Sequence, residues 1–240
     1  MKDQLKQYPT TISPTFVVIA GLFVCFLMMA NIIVNRLVTF GGLVFNGDLF
    51  LFPLTYIFGD ILTEVYGFKR SRLVIWVGFA ANIIMALYFS VVLRLPYPTE
   101  FTDNNAFMTV LGATPLIVTA SLIAYFFGEY TNSATMSILK KKTEGKWLWM
   151  RTIGSTLVGQ LVDTVLFMTI ALHYLPPVVL LQIIAVNYSV KVAYEVFATP
   201  FTYVAINKLK KAEGVDTYDY GVKYNPFGLD VEKDTKKASK

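Results

Sequence analysis

Six apolar runs, at residues 15–35, 49–66, 73–93, 115–139, 152–173 and 178–206, divide this chain. Each is long enough to cross a bilayer, which takes about 20 apolar residues with a range of roughly 17–25. Such runs leave few folds open. In hydrocarbon the backbone polar groups must be satisfied within the segment or in a closed barrel, and runs of this length form helices. The expected class is all-α, a polytopic membrane protein with six transmembrane helices around a central polar cavity. Composition agrees, with 55% hydrophobic and 15% charged residues against about 25% charged in an ordinary soluble domain. The first run is too long for a signal peptide, lacks a small-residue cleavage site and is followed by further spans.

Loop charge sets the expected orientation. Lys69, Arg70 and Arg72 follow the second run, Lys140, Lys141, Lys142, Lys146 and Arg151 follow the fourth, and Lys208, Lys210 and Lys211 follow the sixth. Arg36, Asp48, Arg94, Glu100 and Asp103 occupy the alternate loops. Excess Lys and Arg marks the cytoplasmic side, so both termini are expected there. The net charge of +5 is thus a topology signal, and no nucleic-acid partner is expected. Localisation is the cell membrane, multi-pass, which is the inner membrane if the source is Gram-negative. Residues 1–211 read as one six-helix domain and 212–240 as a polar cytoplasmic tail that buries little. The loop 94–114 carries an apolar patch at Phe107–Leu111 suited to a short interfacial helix.

Within the spans, polar residues recur at helical spacing. Asp60 and Glu64 lie one turn apart, with Tyr56 one turn earlier and Phe52 and Tyr66 flanking. Asn31 and Asn35 end the first span. Glu129 and Asn132 mark the fourth, with Tyr125 before them. Gln160 and Asp163 mark the fifth, and Asn187, Lys191 and Glu195 the sixth. Residues three or four apart share a helix face. Lipid cannot satisfy such faces, so they must turn toward one another. Charge at membrane depth costs roughly 2.5–3.5 kcal/mol per group on insertion scales, which makes each of these groups a candidate for function. Asn82, alone on its helix, reads as interhelical glue. Lys191 can neutralise Glu195 on its own helix or pair with Asp163.

The cavity counts five acids (Asp60, Glu64, Glu129, Asp163, Glu195) and one base, Lys191. It is short of cations, so a donor-rich ligand, a cationic ligand or protons would complete it. One carboxylate can accept two parallel N–H bonds from a guanine-like edge, and Phe52, Tyr56, Tyr66, Tyr125 and Tyr194 can stack on a ring. From the residues alone amines, nucleobases and a cation all fit. Glu64, Glu129 and Glu195 are also candidates for a proton site. No cofactor and no metal is expected, because Cys25 and His173 are the chain's single cysteine and histidine, too few for a zinc ligand set.

The stretches LFPLTYIFGDILTEVYG, FKRSR, GEYTNS, WLWMRTIGSTLVGQLVDTVLF and YSVKVAYEVFATPFTYVAINKLK together resemble the queuosine precursor transporter family, also called the vitamin uptake transporter group. The likeness runs from about residue 28 to 228 and includes YNPFGLD. It implies import of the 7-deazaguanine bases 7-cyano-7-deazaguanine and 7-aminomethyl-7-deazaguanine for tRNA modification by salvage. It also implies a likeness to the six-helix substrate-binding subunits of energy-coupling-factor vitamin importers. The family pattern falls on Asn31, Phe52, Pro53, Asp60, Glu64, Tyr66, Gly67, Arg151, Ser155, Thr156, Gln160, Asp163, Lys191 and Pro200. Arg36 stands where many members have Lys, and Glu129 and Asn132 where many have an Asp-containing stretch. The expected partners are that small-molecule base and the lipid bilayer, with a homodimer as the default assembly. Competing readings are a carrier of another nucleobase or vitamin, an intramembrane enzyme and a ligand-free assembly subunit. No histidine pair, Ser–His arrangement or HExxH supports an enzyme, and no Gly-rich phosphate loop supports ATP hydrolysis.

Overall fold

The computed structural model describes residues 12–34, 36–40, 43–48, 51–112 and 115–228. Its helices are α1 (Pro14–Ile33), α2 (Leu51–Ile61), α3 (Phe68–Val92), α4 (Asn104–Leu111), α5 (Pro115–Lys142), α6 (Leu148–Ala171) and α7 (Pro177–Glu213). A π-helical turn, Leu62–Tyr66, continues α2. Strands β1 (Leu37–Phe40) and β2 (Leu43–Asn46) form an antiparallel hairpin, pairing Leu37 with Asn46 and Phe40 with Leu43. The all-α expectation therefore needs one amendment. β-formers on both sides of Gly41-Gly42 are a hairpin signal inside what reads as a loop.

The surface is inverted relative to a water-soluble protein. Val77, Ile84, Leu87, Tyr88 and Val91 of α3 are exposed, as are Val178, Leu181, Phe197 and Phe201 of α7. Meanwhile Asp60, Glu64, Glu129, Lys140, Arg151 and Glu195 are at most 2% exposed, where charged groups of soluble folds almost never lie. Helices α1, α3, α6 and α7 are long and apolar enough to cross a membrane. This is a multi-pass membrane protein.

Local chemistry explains how the ends are set. Ser13 caps α1, its Oγ accepting from Phe16 N at 3.1 Å, with Pro14 next in the first turn, where a missing N–H costs nothing. Gly67 ends the π turn at φ 88°, a conformation only glycine adopts freely, and α3 starts at once. Helices α5 and α6 approach closely through glycines. A Cβ on Gly159 would sit 2.6 Å from Asn132 Cβ, and one on Gly128 2.7 Å from Asp163 Cβ. Small residues allow this kind of close packing between membrane helices. Asn82 accepts from Asn31 Nδ2 at 2.8 Å and donates to Gly78 O at 2.8 Å, tying α3 to α1.

Residues 214–228 correct the expectation of a tail that buries little. Thr217 and Asp219 are 0% and 2% exposed. Asp219 caps α3, accepting from Phe68 N at 3.0 and 3.1 Å, and also accepts from Ser137 Oγ. Arg72 donates to Asn225 O at 2.7 Å, and Trp76 Nε1 to Pro226 O at 2.8 Å. The segment thus covers the Lys-rich end of the bundle, and Lys69, Arg70 and Arg72 are buried. The expected disorder of the last ten residues lies outside the described residues. Asp219→Ala removes a cap at a helix N-terminus, where such a change costs about 0.5–2 kcal/mol. Thermal unfolding in detergent should show a lower midpoint, with residues 214–228 becoming protease-sensitive; unchanged protease resistance would contradict this docking.

Candidate functional site

The polar faces meet in three tiers. The first is a cavity of about 260 Å³ at the hairpin end. It is lined by the C-terminal part of α1 (Ala30, Asn31), the start of α2 (Phe52, Pro53), the first half of α5 (Ser121, Tyr125), the second half of α6 (Asp163, Phe167) and the first half of α7 (Asn187, Lys191, Tyr194). Lys191 Nζ lies 2.8 Å from Asp163 Oδ2 and 4.3 Å from the centre of the Phe52 ring. Lys191 therefore pairs across helices with Asp163, and the alternative of neutralising Glu195 on its own helix does not hold. Asp48, just before α2, also reaches the cavity wall. Burial pushes its carboxyl up, with Lys191 pulling it back. Asn31 and Asn187 each give an amide N–H to their own helix, at Leu27 O and Ile183 O, and this fixes the amides in the wall.

The second tier lies one turn deeper and is sealed. Tyr56, Asp60, Glu129, Asn132, Gln160 and Glu195 are all at most 1% exposed, and none lines the cavity. Asn132 Nδ2 donates to Asp60 Oδ1 at 2.8 Å. Sequence spacing put these residues on the same faces as the cavity residues without giving their depth.

The third tier is an ion cluster at the Lys-rich end. Glu64 is held by Arg151 (Nη2–Oε1 2.7 Å, Nε–Oε2 3.2 Å), Lys210 (2.6 Å) and Lys140 (3.5 Å). Lys140 also donates to the Glu64 carbonyl at 2.5 Å and to Thr217 O at 2.8 Å. Asp216 joins through Lys140 at 2.6 Å and Lys210 at 2.8 Å. Burial would raise the Asp216 carboxyl, but the two ammonium groups outweigh it and hold it below the ordinary range. Glu64 is therefore part of a closed lock, apart from the cavity residues. Tyr66, edge-on to Phe16 at 5.0 Å, packs at this end too. Among the sequence candidates, Asn31, Phe52, Asp163, Asn187 and Lys191 are brought together at the cavity, and Asn35 lies outside the described residues. Sequence reasoning missed Asp48, Ser121 and Phe167 in the wall and Lys140, Lys210 and Asp216 in the lock. Lys140 and Lys210, in the last turns of α5 and α7, carry the topology signal, and the lock gives them a second use.

The arrangement offers a ligand two carboxyl groups, Asp48 and Asp163, one ammonium and aromatic walls at one end of a bundle closed at the other. Comparison with known proteins adds to this. A family described as putative vitamin uptake transporter matches residues 47–205. A protein named probable queuosine precursor transporter from Bacillus subtilis (strain 168) is 29% identical over 190 residues, covering 77% of this chain and 83% of its own. A queuosine precursor transporter from Escherichia coli (strain K12) is 27% identical over 187 residues, covering 76% and 82%. No solved structure gives a significant match.

Proposed function

The chain belongs to the putative vitamin uptake transporter family, and from that premise we propose that it imports queuosine precursors across the cell membrane. Its substrate is a 7-deazaguanine base, 7-cyano-7-deazaguanine or 7-aminomethyl-7-deazaguanine. The names of the two relatives support the substrate class. The observation that carries the reading is the Asp163–Lys191 pair in the cavity wall. A guanine-like edge presents a ring N–H and an exocyclic amine side by side, with a carbonyl next to them. Asp163 accepts from the first two, and Lys191 donates to the third. Phe52 and Tyr194 supply apolar ring faces. The cavity volume of about 260 Å³ falls just below the roughly 300–1,000 Å³ of drug-sized sites, which suits one bicyclic base better than a larger vitamin.

The orientation that goes with this function has six transmembrane helices, both termini cytoplasmic, the cavity facing outward and the Glu64 lock inward. Lys142 to Leu148 joins α5 to α6 at the lock end, and the positive-inside rule puts that loop in the cytoplasm. A membrane-impermeant thiol reagent should label Asn104→Cys from outside, and Lys141→Cys only after permeabilisation. The reverse pattern would invert the topology. The function itself is tested by uptake of radiolabelled 7-cyano-7-deazaguanine in a strain unable to make the base. Uptake that depends on this protein and is not competed by adenine or riboflavin is expected. Uptake no greater than without the protein, or full competition by riboflavin, would point to another nucleobase or vitamin.

A further inference from the structure

Asp60 of α2, Glu129 of α5 and Glu195 of α7 sit in the middle of the bundle at 0%, 0% and 1% exposure. Both oxygens of Glu129, both of Glu195 and Oδ2 of Asp60 lack a hydrogen-bond donor. Two amide oxygens, Asn132 Oδ1 and Gln160 Oε1, are buried and unpartnered in the same tier. Among the described residues, Asn132 Nδ2 is the donor that reaches the group, on Asp60 Oδ1. The Glu129 carboxylate lies against Gly59, one residue from Asp60: a Cβ there would meet its two oxygens at 2.9 and 3.1 Å. Glu195 acts electrostatically on both Asp60 and Glu129. The charged and titratable neighbours are Tyr56 from α2, Glu64 from the π turn, Tyr125 from α5, Asp163 from α6, and Lys191 and Tyr194 from α7. The two that bring cations near are already committed, Lys191 to Asp163 and Glu64 to its three partners.

The donors buried on the surrounding helices, the hydroxyls of Tyr56, Thr156 and Thr164 and the Gln160 amide, make no bond to Glu129 or Glu195, and these carboxyls are left without one. Even after relaxation, an unpaired buried charge costs several kcal/mol, and three like charges together cost more. Unpartnered polar groups here must be completed by something that brings positive charge or hydrogen. Among the described residues, no group of three His, Cys, Asp or Glu side chains is arranged to hold a metal ion. A proton fits without that geometry.

We propose that Glu129, with Asp60 and Glu195 beside it, is a proton site, and that each base carried through the cavity moves with one proton held on Glu129. The proposal rests on the transporter reading of the cavity. The link between the two sites is Asp163, which lines the cavity and whose charge acts on Glu129. Tyr56 and Asp163 converge at Gly128, where a Cβ would be 2.9 Å from the tyrosine oxygen and 2.7 Å from Asp163 Cβ. A base that engages Asp163, or draws Lys191 from it, changes the field at Glu129 directly. The proton arrives from water on the cavity side as the carboxyl O–H forms. It leaves to water when that bond breaks after the Glu64 lock opens, and no other bond changes.

Two measurements test this. Infrared spectra of wild-type protein in lipid at neutral pH should show the carbonyl band of a protonated carboxylic acid, smaller in Glu129→Gln and in Asp60→Asn. In liposomes made alkaline inside by one pH unit, with the membrane potential clamped, 7-cyano-7-deazaguanine should accumulate about tenfold, one pH unit being about tenfold in proton activity. A protonophore should abolish the accumulation, and Glu129→Gln should show none. A missing band in wild type, mere equilibration under the gradient, or accumulation driven by a sodium gradient instead would overturn the proposal. A wild type that shows the band yet does not bind the base would leave the proton site standing and refute the assignment of substrate.

Discussion

Asp163→Asn is expected to weaken binding of the 7-deazaguanine base by roughly ten- to more than a hundredfold. The amide keeps the shape of the side chain and replaces an acceptor with a donor, so two donors face each other where the base edge would bind. A lost charge-assisted bond costs about 1.5–3 kcal/mol. The change also frees Lys191, whose ammonium is 2.8 Å from Asp163 and 23% exposed. Because Lys191 can turn toward cavity water, the fold should survive. Titration of purified variant and wild type with 7-cyano-7-deazaguanine gives the comparison. Wild-type affinity in the variant would remove Asp163 from the site. Asp60→Asn, one tier deeper and without a place in the cavity wall, should weaken binding much less.

A second large effect is expected on stability. Glu64→Gln leaves Arg151 and Lys140, 1% and 2% exposed, beside Lys210 with no carboxylate among them but that of Asp216. Removing one partner of a buried ion pair costs about 3–5 kcal/mol, chiefly through the uncompensated charge left behind. The thermal midpoint in detergent should fall well below that of wild type, and residues 214–228 should become protease-sensitive, since Asp216 and Thr217 are held by the same lysines. Glu64→Gln combined with Lys210→Met removes one cation with the anion and should recover part of the loss. A single variant as stable as wild type would show that the lock contributes little.

How far these features could be read from sequence depends on distance along the chain. Apolar length predicts the helices because backbone satisfaction in lipid is local, and helical spacing predicts which polar residues share a face, such as Asp60 with Glu64. Depth is another matter. Asp60 and Glu64 share a stripe, yet Asp60 sits in the sealed tier while Glu64 meets cations from α5, α6 and α7. Those partners are 76, 87 and 146 residues away in sequence, and no periodicity reports which of them arrive. The Lys191 pairing shows the same limit, because one-turn spacing favoured Glu195 as much as packing favours Asp163. Composition marked 214–228 as polar, but its burial depends on basic side chains and helix ends that only the assembled bundle offers. The resemblance of motifs carried the substrate class, since carboxylates and amides alone suit amines, nucleobases and cations alike.

Transport as proposed depends on binding of a 7-deazaguanine base in the Asp163–Lys191 cavity. Calorimetric titration of purified wild-type protein with 7-cyano-7-deazaguanine, with adenine and riboflavin as controls, tests it most directly. Saturable binding of one base per chain is expected, absent for both controls and weakened roughly ten- to more than a hundredfold in Asp163→Asn. Saturable binding of riboflavin or adenine with none of the deazaguanine would contradict it.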